Sequence, residues 1–273
     1  MKSLGVCSWS LQPATPRELA ERVTATGIEA VQLALDPIRC GAWKLDDTVA
    51  ALAAAGVRVL SGMMEMEGED YSTLESIRRT GGVRPLATWK ANLAAAHANA
   101  RLASELELSL VTLHAGFLPE DARDPERGVL LERLGALIDA FDARGVDVAF
   151  ETGQETAATL LEVLADLDRA RAGVNFDPAN MLLYGQGDPV EALALLQARV
   201  HQIHVKDGLR AKEPGTWGEE VRVGTGEVDW TRFLALADTL AVDFVIEREA
   251  GTQRIEDVRA AASLVRRHVE VGE

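Results

Sequence analysis

One phrase recurs along the chain: an amphipathic helical stretch, a stop, a short apolar run, and a polar residue at the end of that run. Apolar runs of this length between helical segments read as buried parallel strands. They are LGVCSW, IEAVQLAL, VRVLSGMM, LSLVTLHAG, VDVAFE, VNFD, VHQIHVKD and VDFVIE. The stretches between them carry helix-boundary chemistry. Thr15-Pro16-Arg17-Glu18 reads as a capping box with proline at the first helical position, and Asp124-Pro125, Asp188-Pro189 and Asp229 open later helices. Gly27, Gly56 and Gly145 close others. Further helices are expected over 46–55, 85–105, 156–170 and 256–269. Strands alternating with helices predict an α/β fold, a single (β/α)8 TIM barrel spanning 1–273. An open doubly wound sheet is the competing architecture, but no G-x-G-x-x-G or Walker-type loop follows any run. The two long connections, 65–84 and 208–228, leave strand tips and are expected to act as lids, the first with a short extra helix.

Charge and cysteine usage narrow the partners. The net charge is −15 with no basic block, which argues against nucleic acid, whose binding leans on Lys and Arg neutralising phosphates. No apolar run approaches the roughly 20 residues of a membrane span, so no membrane partner is expected. Two cysteines, Cys7 and Cys40, make no disulfide framework and fit a reducing compartment. The amino-terminal stretch is too short and polar for a signal peptide, so a cytoplasmic location is expected. A small molecule is the expected partner, and a homo-oligomer is compatible with the sequence.

Four of the apolar runs end on metal-capable side chains: Glu151, Asp177, His204 and Glu247. Side chains alternate along a strand, so parity tells which of them face the barrel axis. Glu151 shares a side with Ala149, opposite Val148 and Phe150. His204 shares a side with Gln202 and Lys206, leaving His201 to the helices or the surface. Glu247 stands opposite Phe244 and Ile246, and Asp177 is set against Val174 and Phe176. Three inward carboxylates would repel one another without a cation. The set therefore predicts one divalent ion, with oxygen-rich ligation and one imidazole favouring Mn²⁺ or Mg²⁺ and admitting Co²⁺ or Zn²⁺. Four protein ligands leave positions for a carbonyl and a neighbouring hydroxyl of a sugar. A Lewis acid there stabilises an enediolate while carboxylates at the rim move the proton.

The segments AFETGQE, NFDPAN, HQIHVKDGLR, GTGEVDW and VIEREAG resemble the xylose-isomerase-like barrel family of sugar phosphate isomerases and epimerases, over nearly the whole chain. The resemblance to its ketose 3-epimerases implies a metal, often Mn²⁺, held by Glu151, Asp177, His204 and Glu247. It also implies that Glu151 and Glu247 carry the proton on opposite faces of the substrate, and that Arg210 contacts substrate. Asn180 stands where those epimerases have a substrate-binding histidine, and Gln32 where many relatives have Glu. His114, Lys206 and Trp9 are further candidate substrate contacts, His114 with a structural role as the alternative, Lys206 with pairing to Asp177 or Glu247, and Trp9 with core packing. Glu155 reads as a helix-start cap, Trp217 as a lid residue over a sugar face or a loop anchor, and GTGEVDW as either a phosphate-cradling turn or a helix cap at Asp229. Met63, Met64 and Met66 read as core or lid packing.

The expected activity is a metal-dependent sugar isomerase or epimerase acting on a ketose or keto-sugar through an enediolate. The alternative is a metal-dependent lyase or dehydratase on a keto-cyclitol or 3-keto-glycoside. An abasic-site endonuclease would bring more histidines than the 5 present, and a sugar-binding protein without turnover is the remaining reading.

Overall fold

The computed structural model describes residues 2–213 and 215–271. Eight parallel strands close a barrel: β1 (Leu4–Cys7), β2 (Ala30–Ala34), β3 (Arg58–Met63), β4 (Leu110–Leu113), β5 (Asp147–Glu151), β6 (Ala172–Phe176), β7 (Val200–Val205) and, after the hairpin β8 (Asp207–Leu209) and β9 (Glu219–Val221), β10 (Asp243–Ile246). β10 lies between β7 and β1 and completes the ring. The helices are α1 (Pro16–Thr26), α2 (Asp36–Arg39), α3 (Leu45–Ala54), α4 (Leu74–Thr80), α5 (Leu86–Glu105), α6 (Pro125–Asp142), α7 (Ala157–Leu167), α8 (Pro178–Leu183), α9 (Pro189–Leu196), α10 (Trp230–Ala237) and α11 (Arg254–His268). The fold is the expected (β/α)8 barrel.

Local chemistry explains the boundaries. Thr15 caps α1 by accepting from Glu18 N, but Glu18 reaches back to Ala14 N rather than to the cap itself. Asp124, Asp188 and Asp229 cap α6, α9 and α10 as expected. α7 stops at Leu167, earlier than expected, because Asp168 turns left-handed (φ 45°) and β6 begins at Ala172. Glu155 does not cap α7. Thr156 does, accepting from Thr159 N, while Glu155 is buried.

The strands' helix-facing side chains, among them Val148, Phe150, Val174, Phe176, Ile203, Phe244 and Ile246, are fully or almost fully buried. Each such side chain contributes roughly 1.5–3 kcal/mol, so this outer layer carries the fold. The barrel interior is different. Gln32, Ser61, Thr112, Asn175, Gln202 and His204 are buried and polar, and bond mainly to one another.

Both long connections sit at the carboxyl ends of their strands, and both are fastened. The 65–84 segment holds α4, and Val83 N donates to Ala115 O at 3.2 Å beyond β4. The 208–228 segment, whose Pro214 lies outside the described residues, folds β9 back on β8.

Candidate metal centre

β5, β6, β7 and β10 are consecutive around the barrel, so their carboxyl ends lie side by side. Glu151 closes β5, Asp177 follows β6, His204 lies near the end of β7 and Glu247 follows β10. One donor atom from each lies within 4.8 Å of all the others, and all four residues are buried. His204 Nδ1 stands 3.6 Å from Glu151 Oε2, 3.8 Å from Asp177 Oδ2 and 3.5 Å from Glu247 Oε2. These separations are too long for good hydrogen bonds, and both His204 Nδ1 and Asp177 Oδ2 are buried without a hydrogen-bond partner. Orphaned buried polar atoms are costly. An inward-facing nitrogen and oxygen without hydrogen bonds, the oxygen 3.8 Å from Lys206 Nζ, beside two more carboxylates, fit a divalent cation of the Mg²⁺ or Mn²⁺ kind.

The remaining atoms of these residues are anchored. Asp177 N donates to Thr152 Oγ1 at 2.8 Å and Asp177 Oδ1 accepts from Asn180 N at 3.0 Å, so the turn into α8 leaves only Oδ2 without a hydrogen bond. Glu151 Oε1 accepts from Asn180 Nδ2 at 2.8 Å. That approach needs Gly153, where φ is 131° and an added Cβ would lie 2.4 Å from Asn180 Cβ. Trp9 Nε1 donates to Glu247 Oε1 at 2.7 Å, and Lys206 Nζ donates to Glu247 Oε2 at 2.9 Å and to Glu249 Oε2 at 2.7 Å.

Gln32 lies beneath the histidine rather than open to a ligand. Its Oε1 is 2.8 Å from His204 Nε2, and its amide donates to Thr112 Oγ1 at 2.9 Å. Accepting from Nε2–H fixes the tautomer that leaves Nδ1 free to ligate, the usual duty of a group behind a metal-binding histidine. Asn175 was not foreseen. Its amide nitrogen lies 3.3 Å from Glu151 Oε2 and 3.0 Å from His204 Nε2, and its Oδ1 accepts from Gln202 Nε2 at 3.2 Å. The signal was present: a polar residue inside VNFD, opposite in parity to Val174 and Phe176.

The other expected site residues divide. His114 Nε2 comes within 3.9 Å of Glu151 Oε1, its Nδ1 has no partner, and Tyr71 meets the ring edge-on. Asn180, Lys206 and Trp9 touch the proposed ligands directly. Arg210 does not join them. It is half exposed and turned to Glu227 Oε2 at 3.4 Å. His201 is half-buried over Gly173 near the start of β7, because the register shifts between Val174 and Asn175 and breaks strict alternation there. Trp217 meets the edge of Tyr184, a loop contact. Met64 and Met66 are in the core. The GTGEVDW turn cradles a carboxylate of its own chain. Asp207 accepts from the backbone N–H of Gly208, Gly224, Gly226 and Val228 and from Trp230 Nε1.

The charges are coupled. Burial would raise Glu247, but Lys206 and His204 outweigh it and hold it well below the usual carboxylate range. Burial likewise opposes the His114 and His204 charges that keep Glu151 low. Asp177 goes the other way, pushed up by burial against the pull of Lys206. Burial would lower His204, but Cys7, Glu151 and Glu247 raise it well above its ordinary value. Glu151 and Glu247 are thus held ionised beside the cationic Lys206 and His204, and a divalent cation binding here would take the place of the His204 proton.

A family model described as the xylose isomerase-like TIM barrel matches residues 19–268. The chain belongs to that family. No curated protein matches it. Among solved structures, a xylose isomerase domain protein from Planctomyces limnophilus shares 32% identity over 90% of each chain with a TM-score of 0.83. A xylose isomerase-like TIM barrel protein from Mycobacterium smegmatis in complex with magnesium shares 16% identity over 97% of this chain and 96% of that one, with a TM-score of 0.73. A D-psicose 3-epimerase from Clostridium cellulolyticum H10, solved with D-tagatose, shares 14% over 98% and 99%, with a TM-score of 0.70. The last two establish likeness of fold. Membership in the xylose isomerase-like family agrees with the arrangement at the barrel mouth. No helix is long and apolar enough to cross a membrane among the described residues.

Proposed function

We propose that the protein is a divalent-metal-dependent isomerase or epimerase of a ketose or related keto-sugar. The observation that carries this reading is the pair of bare atoms, His204 Nδ1 and Asp177 Oδ2, facing Glu151 and Glu247 in one buried cluster. Glu151, Asp177, His204 and Glu247 would hold the ion, with Mn²⁺ favoured. Bound there, a divalent cation supplies Lewis-acid polarisation of a carbonyl and its neighbouring hydroxyl, and so favours loss of the α-proton. The proton itself belongs to the two glutamates. Asn180 aims Glu151, Trp9 and Lys206 aim Glu247, and a carboxylate on each side of a bound sugar can take a proton from one face and return one to the other. The magnesium in the Mycobacterium smegmatis protein and the D-tagatose bound by the Clostridium epimerase support both halves of this reading. Incubation with Mn²⁺ and a ketose panel in D₂O tests it. The reading expects deuterium at the α-carbon of at least one ketose, and absence of exchange across the panel contradicts it.

One observation favours a second reading, elimination from a keto-cyclitol or 3-keto-glycoside: the two glutamates are not equivalent. Glu247 is bound directly to the ammonium of Lys206, whereas the hydrogen-bond partners of Glu151 are the neutral amides of Asn180 and Asn175, with His114 Nε2 standing off at 3.9 Å. Such a division suits one base and one acid. Glu151 would take the α-proton, the C–H electrons would form the double bond, and the departing oxygen would leave with a proton from Lys206 Nζ. An enone absorbance or a released aglycone would select this reading over epimerisation.

A further inference from the structure

Four residues past Glu151 the chain enters a second cavity, of about 480 Å³, between the segment carrying α4 and the loops that follow β4 and β5. Its volume lies within the range of small-ligand sites. Two of its polar atoms are buried without partners, and a third polar group has none among the described residues. Glu155 is 5% exposed, yet its carboxyl makes no hydrogen bond or ion pair among the described residues. Gln154 is 4% exposed, and its Oε1 is unbonded. Arg84 bonds Glu126 Oε2 and Phe117 O, but its Nε has no acceptor. Across the cavity the Arg78 guanidinium lies 4.7 Å from the centre of the Phe117 ring.

These groups define the chemistry of an occupant. A planar guanidinium on an aromatic ring offers a flat, weakly polar wall. The free Oε1 of Gln154 accepts, Arg84 Nε donates, and a carboxyl group does both when protonated. Burial pushes Glu155 up to about 8, so it is largely protonated at neutral pH. The charge balance disfavours a phosphoryl ligand: Arg78 and Arg84 share the lining with Glu120, Asp124 and Glu126 in addition to Glu155. An anion entering here meets more carboxyl groups than guanidinium groups.

We infer that this cavity binds a neutral polyhydroxylated group, the non-reacting glycosyl part of a two-part substrate whose keto-sugar end lies at Glu151 and Glu247. The assignment of the reacting end rests on the function proposed above, whereas the cavity's preference does not. Four residues of chain reach at most about 14 Å, the scale of two linked sugar rings. Gln154 also approaches Tyr184 Oη at 3.5 Å, and Tyr184 packs between Phe117 and Trp217, so an aromatic row flanks the cavity.

The test uses ligand-observed NMR titrations of the EDTA-treated full-length protein, with maltose, cellobiose, sucrose, glucose, glucose 6-phosphate and inorganic phosphate as probes. At least one disaccharide should bind at least tenfold more tightly than glucose 6-phosphate or phosphate. Arg78→Ala, an exposed substitution, and Gln154→Ala should each weaken that binding at least fivefold with unchanged melting curves. Glu155→Gln, which keeps both a donor and an acceptor, should retain it, and Glu155→Leu should not. The inference is overturned if no disaccharide binds, if the phosphorylated probes bind best, or if Arg78→Ala and Gln154→Ala leave binding unchanged. A separate Mn²⁺ titration reads the metal centre, so failure there is distinguishable from failure of the cavity.

Discussion

Asp177 and Asp207 are both fully buried aspartates at the mouth of the same barrel, and they are treated in opposite ways. Asp207 is saturated. Four backbone N–H groups and the Trp230 indole converge on it, and an added Cβ at Gly226 would lie 2.2 Å from its Oδ1. Asp177 has one oxygen tied to the turn into α8 and the other left bare, facing an equally bare His204 nitrogen. A buried carboxylate whose donors are all supplied by its own chain organises a loop. One left with an unmatched oxygen among other unmatched ligands marks a place for something from outside. The turn that looked suited to phosphate is of the first kind, and the cluster of strand ends is of the second.

The largest effect expected on this contrast is catalytic. In the deuterium-exchange assay, Glu151→Gln and Glu247→Gln should each lower the rate by roughly 10²–10⁴-fold while circular dichroism shows an intact barrel. Retained exchange in both would remove the cluster from the chemistry. Next comes stability. Asp207→Ala strands five donors and should cost about 3–5 kcal/mol in urea unfolding, whereas Asp177→Asn should leave the EDTA-treated protein within about 1 kcal/mol of wild type. Equal losses in the two variants would erase the distinction. A smaller effect isolates the group behind the ligand: Gln32→Leu should weaken metal affinity by roughly 10–100-fold through His204, measured by competition with a chelating dye.

The smallest effect concerns pH. Glu155 is raised from 4.5 to about 8 by burial. Below pH 4.5 it is protonated whether folded or unfolded and contributes nothing to the pH dependence. Between 4.5 and 8 the unfolded chain is ionised while the folded one keeps its proton, so this group lowers stability as pH rises through that window. Glu155→Gln removes the penalty. Its stability advantage over wild type should therefore grow by the order of 1–3 kcal/mol between pH 5 and pH 8, and a flat difference in melting curves would place the Glu155 carboxyl in contact with solvent.

Much of this architecture was legible because barrels obey alternation. Parity along VDVAFE and VHQIHVKD separated Glu151 and His204 from Phe150 and Ile203 without any coordinates. Parity failed at His201, where a register shift between β6 and β7 interrupts the period. It also could not distinguish a residue that meets a ligand from one that holds another side chain. Gln32 read as a substrate contact, Trp9 as a sugar-stacking or core residue and Lys206 as a substrate contact or a partner of Asp177 or Glu247, and each is bonded to a proposed metal ligand. The family resemblance placed Arg210 at the site, and the hairpin formed by β8 and β9 turns it toward Glu227 instead. The burial of Glu155 was invisible, because the cavity it lines is built from stretches distant in sequence, among them Arg78, Phe117 and Gln186.

The most direct test of the account is calorimetric titration of Mn²⁺ into EDTA-treated wild-type protein and into Asp177→Asn and Asp207→Asn. The account predicts one ion per chain in wild type, affinity at least tenfold weaker in Asp177→Asn, and affinity unchanged in whatever fraction of Asp207→Asn remains folded. No heat with Mn²⁺, Mg²⁺, Co²⁺ or Zn²⁺, or wild-type affinity in Asp177→Asn, would contradict it.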